Sequence, residues 1–322
     1  MCFAINILNE IRTTGNLLVR VKNIMSNSHR HHYIPKFYLK GFCNNDGLLA
    51  VYDKKRNVLK KRYYSRKSHF FEFDRNLLKN AEGQETDFLE NLYEHYDNQL
   101  SSLFEIFREN REDKDILNAQ NIQNLKLFIA MMFWRVPATD HFVNIFFQGK
   151  TLKDTGIIIK SKLNNKQVQN DEIENRLIND RNYREACRFL ILPLNTFQIL
   201  LQESDLNNWN YFYSETEAPH LCSDVPVVFK DPNNFFNFQD DMILPLTSSK
   251  ILVFSKSDKP KILRPEFRFN VDVILFHQAH RYVCGPNRNY LKAISEYYYR
   301  YENQVDERIL KNEVFCFLKK EL

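Results

Sequence analysis

The chain has 322 residues, 43% of them hydrophobic and 14% aromatic, which suffices for a globular core and is too apolar for a disordered chain. Its 45 basic and 40 acidic residues leave a formal charge of +5, compatible with a nucleic-acid partner but far from a histone-like binder. The 7 glycines form neither Gly-x-Gly-x-x-Gly nor Gly-x-x-x-x-Gly-Lys-Ser/Thr, which argues against nucleotide-binding sheets built on phosphate-cradling loops.

The cysteines, Cys2, Cys43, Cys187, Cys222, Cys284 and Cys316, contain no Cys-x-x-Cys pair. Free thiols in a reducing cytosol fit better than a disulfide scaffold or a zinc ribbon. No apolar run reaches the roughly 18 residues of a spanning helix. The N-terminus lacks the basic start, apolar core and cleavage site of a signal peptide. A cytoplasmic chain with no membrane partner is expected.

Taken in order, residues 1–24 read as a poorly ordered extension, with the folded part beginning at Met25. Then His29, His31 and His32 run into Tyr33, Ile34, Pro35, Phe37, Tyr38 and Leu39, so titratable imidazoles meet a stiff apolar segment. Residues 33–64 read as β, with Pro35 pushing Ile34 towards extended geometry. Leu48–Asp53 and Val58–Tyr64 read as a hairpin with a basic tip of Lys54, Lys55, Arg56, Lys60, Lys61 and Arg62. Tyr52, Tyr63 and Tyr64 beside it suit base stacking, and lysines guarding a solvated edge explain it equally. Residues 85–110 form the clearest helix, with Phe88, Leu92, Tyr96, Leu100, Leu103 and Phe107 at spacings of three and four, and Asp87 with Glu90 as a capping pair. A second helix over 116–135 stops at Arg135-Val136-Pro137. Arg135 there needs an anion, drawn from Glu85, Glu90 or a substrate.

Residues 139–178 read as a polar helical insert and 180–203 as a helix broken at Pro193. From 208 onward the chain turns to β. Trp209–Tyr213 is a strand, His220–Phe229 is a strand interrupted at Ser223-Asp224 and Pro226, and Met242–Thr247 pairs with Lys250–Ser255. A helix is expected over 269–283, carrying His277, His280 and Arg281. His277 and His280 at i and i+3 suit metal ligation but lack a third ligand nearby. A further helix near 289–300 and an apolar end at Val314–Leu318 close the chain. The expected fold is α+β: an N-terminal hairpin region, central helices and C-terminal antiparallel strands packed on them, with residues 25–322 as one domain.

Several of these segments resemble one known family. His31/His32-Tyr33-Ile34-Pro35-Lys36-Phe37-Tyr38-Leu39 followed by Val51-Tyr52-Asp53 is similar to the opening of the bacterial domain of unknown function DUF4238, with Ile34 for valine and Lys36 for glutamine. Glu85–Glu90, Arg135-Val136-Pro137, Ser223-Asp224-Val225-Pro226 and Leu244-Pro245-Leu246-Thr247 extend the resemblance over about residues 30 to 285. The motif histidine aligns with His32. The resemblance organises the chain and implies no activity.

The polar residues of these segments are His32, Glu85, Glu90, Arg135, Ser223 and Asp224. Each lies beside apolar residues that pull it inward, and an unpaired buried charge is costly. One reading joins them as a nuclease or related phosphodiester hydrolase: His32 as general acid/base, Asp224 or Glu85 as its orienting or metal-binding carboxylate, and Arg135 as anion clamp. A divalent metal ion would suit that set. Ser223 as nucleophile ranks lower, because no nucleophile elbow surrounds it. The other reading is a non-catalytic nucleic-acid- or protein-binding module in which the same residues form a buried polar network.

Overall fold

The computed structural model describes residues 30–79, 85–109, 114–149, 151, 154, 178–190, 192–196, 199–200, 202, 205–213, 219–231, 241–255, 265–301 and 306–317. The expected extension over residues 1–24 and the stretch 155–177 of the expected insert lie outside them.

Strand β1 (Arg30–His32) leads into helix α1 (Lys36–Leu39) and a 3-10 turn over Lys40–Phe42. This corrects the expectation of β structure from residue 33. Pro35, with φ −60° and ψ 138°, stands at the helix N-terminus, where its missing N–H is no loss. The helical turn aims the Tyr38 hydroxyl at the Pro245 carbonyl, 2.6 Å away. Gly41 then touches the C-terminal half directly. Its carbonyl accepts the Ser248 N–H at 2.8 Å, and a Cβ there would lie 2.9 Å from the Leu246 carbonyl oxygen.

Strands β2 (Ala50–Asp53) and β3 (Val58–Leu59) form the expected hairpin. Its turn is a 3-10 turn over Lys54–Arg56, closed by Asn57 at φ 50° and by an Arg56 N–H bond to the Asp53 side chain. Next come β4 (Phe71–Phe73), β5 (Leu78–Lys79) and β6 (Glu85–Thr86). The two long helices follow as α2 (Phe88–Arg108) and α3 (Ala119–Arg135). Asp87 makes no side-chain cap on α2, contrary to the expected capping pair, and Thr86 Oγ1 accepts the Phe88 N–H at 3.3 Å instead. Asn118 caps α3 through the Asn121 N–H, and Pro137 forbids its continuation.

Helices α4 (Asp140–Phe147), α5 (Arg181–Leu190), α6 (Leu192–Thr196) and α7 (Asp205–Asn208) come next. Pro193 falls in the first turn of α6, so the expected break comes just before it. The C-terminal part is β7 (Trp209–Tyr213), β8 (Cys222–Ser223), β9 (Val228–Phe229), β10 (Met242–Pro245), β11 (Lys250–Phe254), α8 (Pro265–Gln278), β12 (Tyr282–Gly285), α9 (Arg288–Tyr301) and α10 (Glu307–Phe317). The helix expected over 269–283 therefore ends at Gln278. Residues Tyr282–Gly285 are pulled into a strand because they pair with β2 on one side and β8 on the other.

The architecture is α+β with antiparallel sheets. One sheet has the order β3-β2-β12-β8 and another the order β7-β11-β10-β9; β1-β4 and β5-β6 are two-stranded ribbons. Helix α8 lies between layers. Val271, Ile274 and Leu275 pack with Ile243, Ile251 and Val253 of the second sheet, and Val273 and Phe276 with Ala50, Tyr52 and Val283 of the first. The opposite faces of both sheets join a larger core with α1, α2 and α3, through Val51, Cys284, Leu244 and Leu252. The central strands are thus buried on both faces, which is why they read as continuous apolar runs rather than alternating ones.

Candidate functional site

The site residues are best followed from β1, whose side chains alternate between two faces. His31 points inward. Its Nδ1 accepts the Asn76 N–H at 2.9 Å, and the Asn76 side-chain amide donates to Glu90 Oε2 at 2.8 Å. Arg30 and His32 share the other face with their cross-strand partners Phe73 and Phe71. The His32 ring lies 5.6 Å from the Phe71 ring, and the Arg30 guanidinium sits 5.1 Å over Phe71 and 5.9 Å over Phe73. His31 Nε2 is buried without a hydrogen-bond partner, and the two buried ring nitrogens of His32 have the backbone of Arg30 and Lys67 near them.

Arg135, at the end of α3, is fastened from three sides. Its Nε donates to the His32 carbonyl at 3.0 Å, its Nη1 pairs with Asp97 Oδ1 at 2.7 Å, and its guanidinium lies 4.3 Å over the Tyr93 ring. The need for an anion was legible at Arg135; the anion is Asp97, and neither Glu85 nor Glu90 pairs with it. Asp97 lies one turn beyond Tyr93 on α2, level with the end of α3, while Glu85 stands exposed on β6 before the helix begins. Burial works against the charge on Arg135, and Asp97 more than offsets it, so the guanidinium stays protonated. Next to this pair, Arg75 donates to the Arg135 carbonyl at 3.2 Å and forms ion pairs with Glu72 at 2.7 Å and Asp140 at 2.6 Å. Arg188 meets Asp140 from α5 at 3.1 Å.

Ser223 and Asp224 serve a different junction. Ser223 Oγ donates to the Val225 carbonyl at 2.7 Å and accepts the Val225 N–H at 3.2 Å. Asp224 accepts the N–H groups of His280, Arg281 and Tyr282 at 2.8, 2.7 and 3.0 Å, holding the turn from α8 into β12. His280 lies in that turn and not on a helix; His277 Nε2 meets Glu307 at 3.1 Å. Among the described residues no group of three or more His, Cys, Asp or Glu is placed to hold a metal ion.

The six basic residues of the hairpin separate into two sets. The Lys54 ammonium donates to the carbonyls of Phe276, His277 and Ala279, capping the C-terminal end of α8. Lys60 and Arg56 lie 3.5 and 4.0 Å from the buried Asp53 carboxylate. Lys55, Arg56, Lys61 and Arg62 stay exposed. Arg62 covers the Tyr64 ring at 5.3 Å. Beyond them Arg66 donates to the Lys36 carbonyl at 3.3 Å, which brings the segment after the hairpin to α1 and the His32 face. From residue 54 to residue 71 the chain holds eight Lys or Arg and no Asp or Glu.

Burial, helped by Lys36 and Arg135, lowers the His32 imidazole to about 4. The folded protein therefore binds that proton less readily than the unfolded chain, whose histidine titrates near 6.5. This stability is complete above pH 6.5 and is lost as pH falls towards 4. Going from pH 7 to pH 5 should cost about 2 kcal/mol through His32 alone. His69, lowered to about 4 by burial, acts in the same direction. Urea unfolding of wild type and His32→Gln at both pH values checks this: the variant should lose less stability on acidification, and equal losses would show that His32 is not buried neutral.

Among the described residues no helix is long and apolar enough to cross a membrane, and the described cysteines are free. No curated protein and no solved structure matches the chain. The model of one family, described as protein of unknown function (DUF4238), matches residues 30–289.

Proposed function

We propose that this chain, a member of the DUF4238 family, binds single-stranded nucleic acid on the face formed by β1, β4 and the segment that follows the hairpin. One observation carries the reading: an acid-free basic stretch, residues 54–71, runs directly into a ribbon face of aromatic rings and arginine. Phe73 is 63% exposed, Phe71 lies beside it with ring centroids 5.4 Å apart, and Arg30 covers both. Exposed aromatics stack on bases of any sequence, and lysines along the same track neutralise the phosphates. Lys36, Lys55, Arg56, Lys61, Arg62 and Lys67 are the exposed cations of that track. Lys54 and Lys60 leave the set, because Lys54 caps α8 and Lys60 faces Asp53.

The test is fluorescence anisotropy with labelled homopolymeric RNA and DNA over a salt series. Phe73→Ala should weaken binding by about 1–3 kcal/mol, as expected for losing one stacked base. Lys61→Ala should weaken it on every sequence and lower the salt slope by about one. An unchanged affinity in both variants, or no binding at low salt, defeats the proposal.

The hydrolase is the second reading, favoured by the buried His32 imidazole behind this same face. Lowered to about 4 and with both ring nitrogens buried, it is a weak base that would have to open to substrate before it could take a proton from a nucleophile. The same substrates, incubated with magnesium, with manganese and with EDTA, separate the readings. Cleavage that disappears in a folded His32→Gln protein supports a hydrolase; binding without cleavage supports the module.

A further inference from the structure

We propose that the cavity between the end of α3 and the β8–β9 link binds a small amphipathic carboxylate, its apolar body in the cavity and its carboxylate at Lys311. The cavity measures about 260 Å³. An apolar cavity of about 150 Å³ already holds a benzene ring, so a bicyclic aromatic ring or a medium-length acyl chain fits here. Phe133, Val136 and Phe142 form one wall; Val225, Pro226 and Phe229 form the other.

The walls come from two segments whose polar residues are tied down elsewhere. Val136 follows Arg135, which Asp97 and the His32 carbonyl fix. Thr139, also on the cavity, donates to the carbonyls of Phe133 and Val136. On the opposite side Val225 and Pro226 follow Asp224, which holds three backbone N–H groups. The Gln278 amide nitrogen donates to the carbonyls of Val225 and Val227. Arg135 and Asp224 are thereby positioning residues for the walls, and a preformed cavity binds without first ordering its own sides.

The charged groups among the lining residues are Glu307 and Lys311. Glu307 is already held twice, by Lys311 at 2.6 Å and by His277 at 3.1 Å. The Lys311 ammonium carries three donors and Glu307 takes one, while its side chain is only 7% exposed. Both N–H groups of Gln278 go to carbonyls, so its remaining offer to a ligand is an acceptor. A ligand anion can therefore take a remaining Lys311 donor, whereas both Glu307 oxygens are already engaged, Oε1 by Lys311 and Oε2 by His277.

The experiment is isothermal titration of the full chain with octanoate and with naphthalene-2-carboxylate, beside octanol and the naphthoate methyl ester. At least one carboxylate should bind, about tenfold or more tighter than its neutral counterpart, as a charge-assisted hydrogen bond implies. Lys311→Gln should remove that preference. Ala138→Phe, which puts a ring into the cavity from a lining position, should abolish binding by filling it. Melting curves of both variants show whether each remains folded, and either variant alone decides. Equal binding of neutral and charged probes, binding that survives Ala138→Phe, or no binding by either carboxylate overturns the proposal.

Discussion

Replacing Arg135 with methionine should lower the free energy of unfolding by about 3–5 kcal/mol, the usual result of removing one member of a buried ion pair. Arg135 is 4% exposed and Asp97 is its carboxylate partner at 2.7 Å. Methionine fills most of the volume and supplies none of the charge, leaving the half-buried Asp97 without its cation. Burial already pushes the Asp97 carboxyl up against the pull of Arg135, and without that pull it rises further. A carboxyl with a folded pKa above its unfolded value destabilises more as pH rises, so the loss should be larger at pH 7 than at pH 5. Asp97→Leu in the same chain removes the stranded charge and should return much of the stability. Urea unfolding of the two single variants and the double variant measures this coupling. A double variant no more stable than Arg135→Met would mean that the loss comes from the bonds to His32 and the Tyr93 ring.

That pair shows how far the sequence could be read. Arg135 between Trp134 and Val136 at a helix end announced a half-buried cation needing an anion. Which anion could not be read, because Asp97 and Glu90 differ only in height along α2 relative to the end of α3, and Glu85, which lies before α2 on β6, falls inside the predicted helix. Helix spacing made α2 and α3 legible, and turn chemistry made the β2–β3 hairpin legible. Helix α1 was not, since Phe37, Tyr38 and Leu39 suit a strand equally and only their contacts with α2 and β10 select a helix. Strand β12 was hidden for a related reason: Val283 continues the helical spacing of α8, and its place between β2 and β8 is a long-range fact. At the hairpin a sequence shows that Lys54 is charged but not that three carbonyls of α8 end beside it. The acid-free run continuing to Lys67 was visible signal that attention to the tip alone passes over.

Asp224→Ala should be as damaging as the loss of Arg135, and it separates architecture from chemistry. Three N–H groups would lose their acceptor together, that of Tyr282 buried and those of His280 and Arg281 part-buried. An unsatisfied buried donor costs about 1–3 kcal/mol, so a loss of about 3 kcal/mol is expected, with the two part-buried donors adding less than Tyr282. Burial pushes the Asp224 carboxyl up, more than these N–H groups pull it back. Asp224→Asn keeps one side-chain oxygen and should lose less. Ser223→Ala, which gives up only the local turn bonds to Val225, should cost about 1 kcal/mol. Calorimetric melting of the three variants checks the order. An Asp224→Ala protein that melts like wild type yet loses cleavage of a nucleic-acid substrate would make Asp224 a reacting group after all. A strongly lowered melting temperature, with the more stable Asn variant still binding nucleic acid, would place it where its three bonds do: bracing the turn into β12 and the Val225 wall of the cavity.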